Sequence, residues 1–167
     1  TAAFSMSGVK GAIDVQGLNT ALAQYAFNKL EPASFSYHGP SDNTTANGYP
    51  DLNTAETTSI DLSGSGATKL TISTPKTSID LSGCEKLTTI KLTNQTNLIL
   101  TCDSALDGNK ITIESGYTSD KTDIATVNND GTITIGTASG TAKLTGNGKT
   151  ITIVKKGNSN LTADTAN

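Results

Sequence analysis

The sequence predicts a mainly β protein, and three observations lead to this prediction. Apolar residues make up only 34% of the 167 residues and aromatic residues only 4%, which is too little for a large helical core. Thr is the commonest residue, and Thr suits the solvent-facing side of a strand. Short segments in which Ile or Leu alternates with a polar residue recur along the chain, and this period of two is typical of half-buried strands.

Residues 123–145 give the clearest strand pattern. A short apolar run comes first and is followed by Asn128-Asn129-Asp130-Gly131, whose residue types tolerate the positive φ angles of a hairpin turn. Alternating Thr and Ile residues follow at 132–135, and a turn bounded by glycines precedes a third alternating strand. Three strands and two turns in so short a segment leave no room for a helix.

The same segment resembles the group 2 bacterial immunoglobulin-like domain. The resemblance rests on Ile124-Ala125-Thr126-Val127, on a turn that ends in Gly131, and on the string 140–145, Gly-Thr-Ala-Lys-Leu-Thr. Tyr117 stands where the family usually has a Trp, seven residues before the first apolar position. The resemblance implies a spacer or adhesion module of extracellular proteins and phage virions, without an active site.

The number of strands fits this resemblance. Apolar-alternating segments recur between about Leu87 and Lys156, and seven short strands are what an immunoglobulin-like β-sandwich needs. We therefore expect such a sandwich over residues 87–156. A polar tail, 157–167, follows it.

An exact internal repeat lies before the predicted sandwich. Residues 58–64, Thr-Ser-Ile-Asp-Leu-Ser-Gly, return as residues 77–83 with an offset of 19. Repeats of about 20 residues are typical of solenoids, in which stacked units share one core. Residues 79–92 also resemble the short leucine-rich repeats of bacterial surface proteins, although only about two units fit. The two interpretations overlap between residues 79 and 100, and we favour the sandwich from residue 87 onward.

Residues 1–86 are predicted to form a β-rich region that is solenoid-like in its last part. Its sequence also predicts one helix and one long loop. Apolar residues recur with helical spacing from Leu18 to Leu30, and Pro32 ends the pattern, so a helix is expected over 19–30. Its role is either to cover a sheet or to dock a partner. Residues 31–57 contain three prolines and no periodic pattern, which predicts an irregular loop.

The best candidate ligand surface lies in this loop. Phe35, Tyr37, His38 and Tyr49 bring four ring side chains into 15 residues, and long loops often carry binding residues. The alternative is that these rings pin the loop to the body of the protein. No catalytic residue, metal ligand set or cofactor site is predicted. His38 is the only histidine, and no Gly-x-Ser-x-Gly motif accompanies it.

Cys84 and Cys102 are the two cysteines. They form either a disulfide or two buried free thiols, and their spacing does not match a zinc site. Two groups of oxygen-bearing side chains, at 103–109 and 128–130, have ligand types that Ca²⁺ accepts. Asp and Asn are also common in turns without metal, and we favour that role for both groups.

Composition and charge limit the classes of function that the sequence supports. The net charge of −3 and the lack of a basic patch argue against nucleic-acid binding, and no apolar stretch is long enough for membrane insertion. We expect a non-enzymatic extracellular or cell-surface protein of recognition or adhesion, whose partner is a protein or carbohydrate ligand. The alternative is a structural subunit of a filament, surface layer or phage particle that assembles with copies of itself.

Overall fold

The computed structural model describes residues 10–15, 27, 30–39 and 50–157. In these residues the chain forms thirteen β-strands and one short 3-10 turn, and it contains no α-helix. The prediction of a mainly β protein is therefore confirmed. The strands are Ala12–Val15 (β1), Ser34–Tyr37 (β2), Ser59–Asp61 (β3), Lys69–Ile72 (β4), Ser78–Asp80 (β5), Thr89–Leu92 (β6), Asn97–Cys102 (β7), Lys110–Thr112 (β8), Thr118–Ser119 (β9), Ala125–Val127 (β10), Thr132–Ile135 (β11), Gly140–Gly146 (β12) and Lys149–Lys155 (β13), and the 3-10 turn is Ser104–Leu106.

The strands form two sheets. The larger sheet has the order β1-β2-β3-β5-β7-β13-β12-β9, and the smaller sheet has the order β10-β11-β8-β6-β4. Pairs that involve β9, β10, β11 or β12 are antiparallel, and all other pairs are parallel. The chain from β3 to β8 therefore winds from one sheet to the other and back, which is a solenoid-like arrangement.

Each turn of this arrangement, here called a rung, contributes one strand to each sheet. The exact sequence repeat lies in register, because Ser59, Ile60 and Asp61 pair with the identical residues of β5. The pairing continues without a break from β5 to β7 and from β6 to β8. The strands between residues 89 and 112 thus continue the stack of rungs, and a sandwich that begins afresh at residue 87 is not seen.

Strict alternation places the core between the sheets. In β4, Lys69 and Thr71 are exposed, whereas Leu70 and Ile72 are 4% and 0% exposed. The inward residues of both sheets join one hydrophobic cluster, and each buried Leu or Ile contributes about 2 kcal/mol by its removal from water. Stacking of rungs is therefore what buries the apolar half of each short strand.

A ladder of buried polar side chains joins the rungs at one corner of the stack. Thr57 donates its hydroxyl to the carbonyl of Pro32 over 2.6 Å. The Lys76 ammonium donates to the carbonyls of Thr54 and Thr57 over 2.8 and 2.7 Å. Gln95 accepts from the Lys76 backbone over 2.9 Å. These side chains satisfy corner carbonyls that no β ladder reaches, which is required of buried polar groups.

The C-terminal part closes the stack with antiparallel hairpins. The turn 128–131 joins β10 to β11, as predicted, with a hydrogen bond of 3.0 Å from the Gly131 amide to the Asn128 carbonyl. Gly131 has a φ of +86°, and a Cβ atom there would lie 2.3 Å from the Ile113 carbonyl oxygen. Glycine therefore permits both the turn and the close approach of β11 to β8.

The predicted helix over residues 19–30 lies almost entirely outside the described residues. Of its positions only Phe27 and Leu30 are described; both are buried, and neither is assigned to a helix. The Leu30 amide donates to the Phe27 carbonyl over 3.2 Å, which forms a turn. The structure thus gives no support to a helix here.

Candidate functional site

A shallow cleft lies where the larger sheet turns toward the smaller one. Its volume is about 450 Å³, and it opens between the end of β2 and the turns that follow β3 and β5. Glycines make much of its floor, and a histidine and two opposite charges stand at its sides. The lining residues are His38, Gly64, Ser65, Gly66, Gly83, Glu85 and Lys86.

The sequence repeat builds the turns of this cleft. Asp61 accepts a hydrogen bond of 2.9 Å from the Ser63 amide, and the equivalent Asp80 accepts one of 2.9 Å from the Ser82 amide. Such local bonds favour a turn over a continued strand. The two turns stack directly, since a Cβ atom on Gly83 would lie 3.3 Å from the Gly64 Cα atom.

Hydrogen bonds hold the His38 ring in one orientation. Nδ1 lies 2.7 Å from the Ser63 carbonyl oxygen, and since a carbonyl only accepts, Nδ1 carries a proton. Nε2 lies 2.9 Å from the Ser36 hydroxyl and 3.9 Å from the Asp61 carboxylate. The neutral ring accepts from Ser36, and a protonated ring has Asp61 as its ion-pair partner.

This arrangement differs from that of a serine hydrolase. In the Ser-His-Asp triad the carboxylate binds the ring nitrogen that faces away from the serine. Here Asp61 lies on the same side of the ring as Ser36, and a backbone carbonyl takes the place behind it. Both ring nitrogens are therefore bonded within the protein, and His38 presents a fixed ring at the rim of the cleft.

Of the four predicted ligand contacts, His38 is the one that the structure places in this cleft. Its side chain is 31% exposed. Phe35 and Tyr37 are 1% and 0% exposed, because β2 directs them into the core while Ser36 and His38 face outward. Phe35 packs edge-on against Phe27 with ring centroids 6.2 Å apart, and Tyr49 lies outside the described residues.

Sequence reasoning missed the rest of the cleft. Residues 34–37 lie within the predicted irregular loop but form strand β2, and the string Ser-Phe-Ser-Tyr carries the alternation that signals it. Glu85 and Lys86 follow the second copy of the repeat, where the first copy has Gly66 and Ala67. Two opposite charges directly after the end of the exact repeat are the signal that could have marked them.

Both cysteines are buried free thiols in the structure. The Cys84 thiol donates to the Leu62 carbonyl over 3.0 Å. Burial raises the pKa of Cys84 to about 11 and that of Cys102 to about 12. Both are therefore protonated near neutral pH, and a protonated buried thiol is a poor nucleophile.

The oxygen-bearing side chains at 103–109 and 128–130 stabilise turns and form an ion pair. Asp103 caps the 3-10 turn by accepting from the Ala105 amide over 2.9 Å. Asp107 forms an ion pair with the buried Lys155, which also donates to a backbone carbonyl. Asp130 accepts from the Thr132 amide over 2.9 Å. No group of three or more His, Cys, Asp or Glu side chains suited to a metal occurs within the described ranges.

No family model, curated protein or solved structure matches this chain. Among the described residues, no helix is long and apolar enough to cross a membrane.

Proposed function

We propose that this chain is a non-enzymatic recognition or adhesion protein of the cell surface or extracellular space. The observation that carries this proposal is the cleft beside His38. Its lining offers the Glu85 carboxylate and the Lys86 ammonium on glycine-rich turns, beside the ring of His38, and such a pairing of an acceptor and a donor matches the hydroxyl groups of a carbohydrate. The stacked rungs hold these groups on rigid turns, which reduces the ordering cost of binding.

We further propose that the C-terminal strands form the immunoglobulin-like spacer. In that fold strands B, E and D are neighbours in one sheet, and C, F and G are neighbours in the other. Strands β8, β11 and β10 follow the first order, and β9, β12 and β13 follow the second. Tyr117 is 5% exposed, as a ring that fills the core at this position has to be.

A glycan array followed by thermal melting tests the recognition role. We expect a neutral oligosaccharide to raise the melting temperature of the intact chain, since a ligand that binds only the folded state stabilises it. Glu85→Ala and His38→Ala should abolish the shift. Lys121→Ala, an exposed change away from the cleft, should keep it. A shift that survives both cleft substitutions would move the ligand elsewhere and overturn the assignment of the cleft.

The second candidate function is a self-assembling structural subunit. Strand β1 ends the larger sheet and, within the described part of the chain, pairs on one side only. Its half-exposed side chains, Ile13 and Val15, pack against the core. An open edge adds a strand readily. Light scattering and negative-stain microscopy of the full chain, beside a chain without residues 1–17, decide whether regular polymers form through this segment.

A further inference from the structure

The outer face of the smaller sheet carries only two kinds of side chain. Every outward position in its five strands is a Thr or a Lys, and all nine are exposed or half-buried. We call this surface the threonine–lysine strip. Its members are Lys69, Thr71, Thr89, Lys91, Lys110, Thr112, Thr126, Thr132 and Thr134.

The register of the sheet gives each lysine of the strip a threonine neighbour. Lys69 pairs with Thr89. Lys91 lies between Thr71 and Thr112, and Lys110 pairs with a threonine of β11. Ammonium and hydroxyl groups therefore alternate in both directions across β4, β6 and β8, whereas β11 and β10 contribute only threonines.

The three ammonium groups of the strip have no ion-pair partner among the described residues. The strip itself contains no carboxylate. Asp130, in the hairpin turn at its end, has a pKa below the ordinary value, first because of the Thr132 backbone hydrogen bond and in smaller part because of the Lys110 charge. The positive charge of the strip is thus largely unneutralised by the protein itself.

The shape of the strip suits an extended polymer. Five strands at about 4.8 Å spacing make it about 19 Å long, and the two outward residues of β4, β6, β8 and β11 lie about 7 Å apart. Lys69 and Lys110 stand two strands apart on one side, about 10 Å from each other, and Lys91 stands between them on the other side. The result is a narrow track whose charges are regularly spaced over β4, β6 and β8.

The larger sheet carries two neighbouring carboxylates, one of which forms an ion pair with Lys156. Asp61 and Asp80 lie side by side on its outer face, and the whole chain carries a net charge of −3. The strip is therefore a local positive surface on an acidic protein. A polymer of moderate charge density meets attraction at the strip, whereas a dense polyphosphate also meets repulsion from the rest of the molecule.

We propose that the threonine–lysine strip binds an acidic polysaccharide. Carboxylate or sulfate groups of the sugar chain pair with the three ammonium groups, and the threonine hydroxyls between them bind sugar hydroxyls. The strip has no arginine and no aromatic ring, the side chains on which nucleic-acid bases stack. This surface is separate from the cleft at His38, so the proposal stands or falls independently of the cleft.

Calorimetric titration of the intact chain with polygalacturonate tests the proposal, with dextran as the neutral polymer. The test variant is Lys69→Gln, Lys91→Gln and Lys110→Gln together. The matched control is Lys10→Gln, Lys121→Gln and Lys143→Gln, three exposed lysines outside the strip, which changes the net charge equally. Circular dichroism and melting establish that both variants fold.

We expect polygalacturonate to bind and dextran not to bind. The strip variant should lose affinity by about tenfold or more, since it loses three exposed ion pairs with the polymer, whereas the control should lose about twofold or less. Thr71→Val with Thr112→Val keeps every charge and should still weaken binding severalfold, because the hydroxyl contacts are gone. Added salt should weaken binding of the parent chain.

Four results would overturn the proposal. One is that the chain does not bind polygalacturonate, and another is that both lysine variants lose affinity equally, which would indicate net charge alone. Duplex DNA binding as tightly as polygalacturonate would indicate a phosphate polymer. A salt-sensitive dimer in sedimentation, lost in the strip variant, would assign the strip to the acidic face of a second copy. The same lysine variants should keep neutral-glycan binding at the cleft. Measuring that binding separates a failure of the strip proposal from a failure of the proposed cleft function.

Discussion

Tyr117 buries a hydroxyl group, which lowers the free energy of unfolding, and a substitution that removes the hydroxyl should raise it again. Its ring is 5% exposed, and its hydroxyl has no hydrogen-bond partner among the described residues. Burial, together with the nearby Glu114 charge, raises the pKa of this phenol. A buried donor without a partner loses its bonds to water and gains none.

We therefore expect Tyr117→Phe to raise the free energy of unfolding by about 1 kcal/mol. Tyr117→Ala should instead lower it by about 3 kcal/mol or more, because a cavity replaces the ring. Urea unfolding followed by far-UV circular dichroism measures both. A loss of stability in Tyr117→Phe would show that the hydroxyl has a partner in solution.

Lys76 makes the stability of the fold depend on pH. It is 3% exposed, and burial lowers its pKa from 10.5 to about 8, against the opposing charges of Asp51 and Glu56. Between these values the unfolded chain binds more protons than the folded chain, so the free energy of unfolding rises with pH. Cys84 and Cys102 act in the opposite sense above about pH 9, because burial raises their pKa values.

A comparison of variants isolates the lysine. From pH 7 to pH 9 we expect the parent chain to gain about 1 kcal/mol relative to Lys76→Met. The thiol contributions cancel because both chains contain them. Lys69→Met removes an exposed lysine and should keep the pH dependence of the parent chain. Parallel pH profiles for the parent chain and Lys76→Met would mean that the ammonium keeps its ordinary pKa in the folded state.

At the scale of the elements, alternation in the sequence predicted most strands but not their partners. Strands β4, β6, β11 and β13 each bury every second residue, as their sequences require. Strand β9 has only two residues and is too short to produce a period. A strand's own residues decide which face it buries, whereas pairing depends on residues far along the chain.

The competition between solenoid and sandwich shows this limit. The sequence analysis favoured a sandwich that includes β6, β7 and β8, because seven alternating segments between about Leu87 and Lys156 fit the immunoglobulin-like resemblance. In the structure, apolar residues one rung apart keep the stack going without sequence identity, since Ile79 pairs with Leu100 and Ile90 with Ile111. Any Leu or Ile fills the shared core, so the fold continues after the visible repeat has stopped.

The candidate site was predictable only in part. The string 34–37 contains the alternation that buries Phe35 and exposes Ser36, but the nearby prolines hid it. The protein has few aromatic residues and no Trp, so the core takes rings such as Phe35 and Tyr37 and they do not contact a ligand. The Lys/Thr face follows directly from the strand pattern, whereas the burial of Lys76 depends on corner carbonyls that no local sequence reveals.

At the scale of the whole molecule, β7 and β8 belong to two arrangements at once. They form the last rung of the stack through their parallel pairs with β5 and β6. They also begin the C-terminal strand set, because β7 pairs with β13 and β8 pairs with β11. The two sheets therefore run across residue 86, and the division of the chain into domains at that point stays a prediction.

Two complementary fragments test that division. Residues 87–156 contain four strands of each sheet, enough to bury a core between them, so we expect this fragment to fold cooperatively. It should melt well below the full chain, since it lacks the partners of β7 and β6 in the preceding rung. Domains of about 70 residues are marginal even when complete.

Residues 1–86 should not fold alone. Among the described residues this fragment keeps β1 to β5, of which only β3 and β4 form a complete rung, and rung stacks need about three units to be stable. Circular dichroism and thermal melting of the two fragments show whether 87–156 folds and 1–86 does not. An unfolded 87–156 would remove the immunoglobulin-like spacer from the proposed function. Melting of 87–156 at the temperature of the full chain would instead show that residues 1–86 contribute nothing to its stability, and residues 87–156 would then be an independent domain.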